Sequence, residues 1–289
     1  MTETKNYQFK RFAENLLSKR ETHTGNSSLK KESIEFLEEI IDLLFPHFSS
    51  KVYYSPEDII AKLQLMERNL ISLLRNVNGS GKPETEINAA EIAKSFISEI
   101  PKVHDMLWLD ADAIFHGDPA AESIDEVILA YPGFMAIAIY RLAHELYKWD
   151  VAIIPRILTE HAHEITGIDI HPGAEIGCPF FIDHGTGIVI GETTKIGKNV
   201  KMYQGVTLGA LSVSKSLSDV KRHPTIQDDV IIYSQAVILG GETVVGQGSI
   251  IGGNAWITQS VPPNSVVYSK METKVRSNEN YFDQMEFII

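Results

Sequence analysis

The chain has 289 residues, 44% of them apolar and 22% charged, with a formal net charge of −12. That composition supports a packed core and excludes a wholly disordered chain. An acidic chain without a basic cluster is not expected to bind nucleic acid. One cysteine, Cys178, excludes an internal disulfide and a zinc site of several thiolates, and it fits a reducing, cytoplasmic setting. The opening MTETKNYQFK is polar, and no apolar run nears the roughly 18 to 20 residues of a membrane span.

Residues 1–166 read as an all-helical domain. Ile34, Leu37, Ile40, Ile41 and Leu44 recur at helical spacing from Ser33 to Phe45, and Pro46 ends the run. Ser55-Pro56-Glu57-Asp58 is a helix start: serine caps, proline suits the first turn, and carboxylates meet the positive end. That helix is expected to reach about Asn76, before Asn78-Gly79-Ser80-Gly81. Further helices are expected from Glu84 to Ile100, Glu122 to Leu129 and Gly133 to Trp149, with a turn at Gly117-Asp118-Pro119. For the residues before 110, scaffolding or oligomerisation is the expected role.

From residue 167 to 262 the period becomes six. Aliphatic residues or methionine fall at Ile170, Ile176, Ile182 and Ile188, then at Ile190, Ile196, Met202 and Leu208 after a slip of two. The series resumes at Ile226, Ile232 and Ile238, and one extra residue shifts it to Val245, Ile251 and Ile257. Such residues fill about a quarter of ordinary chains, so chance agreement at all these positions is on the order of one in 10⁸ before the slips are allowed for. Period six belongs to a parallel β-helix of hexapeptides, one short strand and one corner per repeat. The expected fold class is therefore α+β: a helical domain followed by a left-handed parallel β-helix. The slips and the excursion from Ala210 to His223 do not fit inside a prism and must project outward, where binding groups are expected. Residues 263–289 form a tail.

Polar clusters carry more weight than single histidines, and His161, His163 and His171 taken singly read as ordinary surface residues. Asp169-Ile170-His171-Pro172 lies on the first rung, and Asp183-His184-Gly185-Thr186-Gly187 lies in the first slip. Arg222-His223-Pro224 closes the excursion. A histidine held by a carboxylate can act as a general base near neutral pH. A metal site of three imidazoles finds only two good candidates, His184 and His223.

In order and spacing, Asp118-Pro119-Ala120, Asp169-Ile170-His171-Pro172, IDHGTGIVIGET (Ile182 to Thr193), QGVTLG (Gln204 to Gly209) and Arg222-His223-Pro224 resemble the serine O-acetyltransferases. The resemblance covers about residues 110 to 262. It implies acetyl transfer from acetyl-CoA to the hydroxyl of L-serine, in a cleft between neighbouring β-helices of a trimer or of a dimer of trimers, with no metal. It makes His184 the base, Asp169 its orienting carboxylate and His223 a second base or polar contact. By the same resemblance Arg222 takes the serine carboxylate, and Asp118, Asp183 and more weakly Glu192 take its ammonium group. Gly209, Ala210, Gly252 and Gly253 become backbone contacts for CoA, and L-cysteine becomes a feedback inhibitor. Cys178 is read as a packed wall residue. The C-terminal Ile289 resembles the tail residue by which this family enters O-acetylserine sulfhydrylase. The competing readings are a hexapeptide acyltransferase for another small hydroxyl acceptor, and a non-catalytic regulator of the sulfhydrylase.

Overall fold

The computed structural model describes residues 3–23, 27–78, 88–211 and 220–269. The Ile289 tail and most of the excursion after Ala210 lie outside them. Among the described residues are seven α-helices: α1 (Glu3–Thr22), α2 (Leu29–Leu44), α3 (Pro56–Asn78), α4 (Ala89–Gly117), α5 (Ile124–Ala130), α6 (Pro132–Tyr147) and α7 (Ile154–Thr166). At the start of α3, Ser55 Oγ accepts from Asp58 N at 3.3 Å while Asp58 Oδ2 accepts from Ser55 N at 3.1 Å. That reciprocal cap explains why the Ser-Pro-Glu-Asp signal was legible. Helix α4 runs on through Pro101 rather than ending at Ile100. Pro101 lies on the exposed side, where water can take the carbonyl left free by its missing N–H. Among the described residues no single helix is long and apolar enough to cross a membrane.

Helix α7 ends on Gly167 with φ of 72°, and the coil begins. Among the described residues its fourteen short strands run from β1 (Asp169–Ile170) to β14 (Val266–Val267). They form three parallel faces: β1-β4-β7-β10-β13 (face A), β2-β5-β8-β11 (face B) and β3-β6-β9-β12-β14 (face C). The chain visits A, B and C in turn for about five turns, the architecture of a parallel β-helix. Strand β14 carries it into residues that the sequence reading gave to the tail.

Register follows the repeat. Ile170 pairs with Ile190, Ile190 with Leu208, Leu208 with Ile238 and Ile238 with Ile257 up face A. Every repeat position from Ile170 to Ile257 is buried, none more than 9% exposed. At about 1.5–3 kcal/mol for each fully buried aliphatic, this column outweighs exposed pairs such as Lys195–Glu175, which contribute at most about 1 kcal/mol.

The helices grip the first turn. Asp110 of α4 and Arg141 of α6 are both buried and form a bidentate pair at 2.6 and 2.8 Å. Arg141 also donates to the carbonyls of Ile176 and Gly177, and Asp110 Oδ1 accepts from Phe180 N at 2.8 Å. These contacts fix the start of β3 (Phe180–Asp183), and the far end of β3 carries Asp183 and His184.

Candidate active site

The sequence candidates gather at two corners of the coil. The first lies between faces C and A, where β3 passes to β4 (Val189–Ile190). Here the two-residue slip becomes a corner in which His184, Gly185 and Gly187 have φ of 55°, 79° and 82°. Gly185 suits its place because a Cβ there would also lie 2.4 Å from Ile168. The corner pushes His184 outward, leaving its side chain 69% exposed with Nδ1 3.5 Å from Asp183 Oδ1. Asp118, at the C-terminus of α4, faces the same corner. Its Oδ2 accepts from Tyr131 Oη at 2.7 Å and its Oδ1 from Ala120 N at 2.8 Å. The Tyr131 hydrogen bond, the Ala120 amide and the nearby His184 hold the Asp118 carboxyl below its ordinary range. The same bond pushes the Tyr131 hydroxyl up to about 12.

The second corner lies between faces A and B and spans three turns. His171 sits on the first and packs edge-on against Tyr147 of α6 at 5.8 Å. Glu192 sits on the second: Oε1 accepts from Tyr147 Oη at 2.8 Å, and Oε2 pairs with Arg222 of the third. Burial works to raise the Glu192 carboxyl, but its hydrogen bonds from Tyr147 and Arg222, with His171 near, carry it below the ordinary range. Burial also lowers the His171 imidazole. His223 is 8% exposed, and burial, with Arg222 beside it, brings its ring down to about 4. Lys221 Nζ donates to the carbonyls of Thr193 and His223.

Asp169 opens the first strand of the coil. It lies in β1 on face A, and among the described residues no ion pair joins it to His184; the carboxylate beside that ring is Asp183. The CoA candidates divide as the others do. Gly209 ends β7 (Thr207–Gly209) and Ala210 follows it at the A/B edge, while Gly252 and Gly253 follow β12 (Ile250–Ile251) at the C/A edge. Cys178 is partly buried against Met106 O at 3.4 Å, and burial pushes its thiol up to about 12, which suits the wall role. Sequence reasoning missed Tyr131, Tyr147, Thr193 and Lys221 as partners. The tyrosines sit in or beside ordinary amphipathic helices; only Thr193 was inside a quoted motif.

No family model matches the chain. Curated relatives do. The chain is 48% identical over 196 residues to the plasmid serine acetyltransferase of Synechococcus elongatus, an alignment spanning 66% of this chain and 60% of that protein. Against the serine acetyltransferase of Bacillus licheniformis it is 51% identical, over 56% of this chain and 73% of the relative. For that of Helicobacter pylori 26695 the identity is 47%, over 56% of this chain and 92% of the relative. Among solved structures, serine acetyltransferase 1 of Entamoeba histolytica in complex with L-cysteine superposes with a TM-score of 0.72 and 36% identity, covering 81% of this chain and 86% of that one. Serine acetyltransferase of Neisseria gonorrhoeae in complex with serine gives 0.56 and 30%, covering 77% and 90%. With a coil, two polar corners and these serine acetyltransferases matched over most of their own length, the chain belongs to the serine acetyltransferase family.

Proposed function

We propose that this chain transfers the acetyl group of acetyl-CoA to the hydroxyl of L-serine, at a site built between two copies of itself. One observation carries the second half of that statement. The groups suited to the serine ammonium, Asp118 and Asp183, and the base His184 lie at the C/A edge, whereas Arg222 and His223 lie at the A/B edge. Between Gly187 and Gly191 the backbone crosses face A, roughly 13 Å at about 3.3 Å per residue. The ammonium and carboxylate of L-serine hang on one carbon, so one chain's two edges do not reach both. The C/A edge of one copy set against the A/B edge of the next does, and a head-to-tail contact of this kind closes into a ring such as a trimer.

In the proposed reaction His184 takes the serine hydroxyl proton as the oxygen attacks the thioester carbonyl. The tetrahedral oxyanion collapses, the carbon–sulfur bond breaks, and the thiolate leaves with the proton from His184. No acyl-enzyme forms. Asp169 orients the exposed imidazole once substrate engages Asp183. Arg222 pairs with the serine carboxylate through its planar fork. Acetyl-CoA lies along the glycine-lined edges at Gly209–Ala210 and Gly252–Gly253. L-Cysteine carries the same ammonium and carboxylate as serine and is the proposed feedback inhibitor, as the Entamoeba complex with L-cysteine supports. Docking of Ile289 into a sulfhydrylase, pairing of trimers and a cytoplasmic location belong to the same proposal.

Thiol release from acetyl-CoA tests it. Serine should outrun threonine, homoserine and a sugar alcohol, and Asp169→Asn should lower kcat roughly 10²-fold with little change in serine KM. Equal rates with a sugar would favour the other acyltransferase reading.

A further inference from the structure

The hydrogen bonds around His223 determine which of its nitrogens carries the proton. Nδ1 lies 3.1 Å from the backbone N–H of Thr193, a group that can only donate. Thr193 Oγ1 accepts from Arg222 N at 2.9 Å and His223 N at 3.1 Å, both again donors only. With both lone pairs taken, the Oγ1 proton is left to donate, and its neighbour is His223 Nδ1 at 2.9 Å. Nδ1 is therefore an acceptor twice over and bears no hydrogen. In a neutral ring the proton must be on Nε2.

The ring is locked in that pose. Its Nε2–Cδ2 edge lies over Gly191, where a Cβ would stand 2.1 Å from either atom. Lys221 clamps the carbonyls of both Thr193 and His223. Among the described residues Nε2 has no hydrogen-bond partner, so its N–H is free for a ligand.

We propose that His223 serves the reaction as a neutral Nε2–H hydrogen-bond donor, not as a second base, and that Thr193 is the positioning residue that fixes this tautomer. The proposal rests on the acetyltransferase reading of the site. A ring with Nδ1 occupied and Nε2 protonated has no lone pair to take a proton from serine. It can donate to an oxygen that is negative or becomes so, either the serine carboxylate or the thioester oxyanion. The surrounding charges agree. Lys221 and Arg222 oppose a cationic ring, as does His171 when protonated; Glu192 favours one, and burial with the cations prevails, so the ring stays uncharged near neutrality.

Nitrogen-detected spectra of full-length protein with ¹⁵N-labelled histidine, compared with His223→Gln to assign the ring, read the tautomer directly. At pH 6 the His223 ring should be neutral, with hydrogen on Nε2 and none on Nδ1. Hydrogen on Nδ1, or a cationic ring at pH 6, would overturn the proposal. Kinetics give a second reading. His223→Gln keeps a donor near the Nε2 position without a titratable base and should retain activity within about tenfold, while His223→Ala should lose about 10²-fold. Equal loss in folded Gln and Ala variants would favour the base role. A loss in kcat places the donor at the thioester oxygen, and a rise in serine KM places it at the carboxylate. Thr193→Val should lower kcat/KM about tenfold, one hydrogen bond's worth, and Thr193→Ser should restore it. The spectra read the resting protein, so they stand even if wild-type chain fails to acetylate serine; that failure would strike the functional reading instead.

Discussion

Arg222 reaches back one turn of the coil to pair with Glu192, whose other carboxylate oxygen accepts from Tyr147 Oη at 2.8 Å. A residue at the end of the excursion is thereby tied to the turn below it and to helix α6. The pair is half-buried, with side chains 23% and 28% exposed, so its strength lies above that of a surface ion pair.

In the proposed reaction Glu192 would therefore serve by aiming the Arg222 guanidinium. Glu192→Gln keeps the shape and removes the charge. It should raise serine KM about tenfold and leave kcat within about threefold, since roughly 1.4 kcal/mol of charge-assisted bonding is lost. Initial rates against serine concentration check this.

His223 also makes stability depend on pH. Its pKa is about 4 in the folded chain, against about 6.5 unfolded. The unfolded state therefore binds the proton first as pH falls. Stability from this group is full above about pH 6.5 and is lost progressively toward pH 4, by roughly 3 kcal/mol. The lowered carboxyls of Asp118 and Glu192 act in the same direction below their unfolded values, at still lower pH. Denaturant midpoints measured from pH 7 to 4 should fall, and His223→Gln should flatten the part between pH 6.5 and 4.

The Asp110–Arg141 pair joins the helices to the first turn with both groups out of water. Asp110→Ala leaves a buried guanidinium uncompensated and should cost about 3–5 kcal/mol, read as a lower denaturant midpoint. Because Asp110 also holds Phe180 N at the start of β3, His184 at its other end should be displaced, and kcat should fall with it.

Much of this was legible in the sequence because a β-helix has one rule. Each turn must bury an aliphatic at a fixed spacing, so Ile170 through Ile257 announced their own positions, and breaks in the spacing marked the outward corners at His184 and before His223. What the sequence concealed was lateral. Asp110 and Arg141 are separated by 31 residues and read as polar interruptions in two helices. Thr193 and His223 are 30 residues apart, joined only because a turn of the coil stacks them. Continuation of α4 through Pro101 depends on which side of the helix meets water, which a linear pattern does not record.

Assembly of the site from two chains is the claim on which the rest depends, and subunit complementation tests it most directly. His184→Ala disables the C/A edge and Arg222→Ala the A/B edge, and each variant alone should be nearly inactive. In rings formed from equal amounts of the two, one site in about four joins an intact C/A edge to an intact A/B edge when each site lies between neighbours. Co-expressed and co-purified, the mixture should recover about a quarter of the wild-type serine acetylation rate. Mixed rings no more active than the separate variants would place all the groups within one chain and contradict the account.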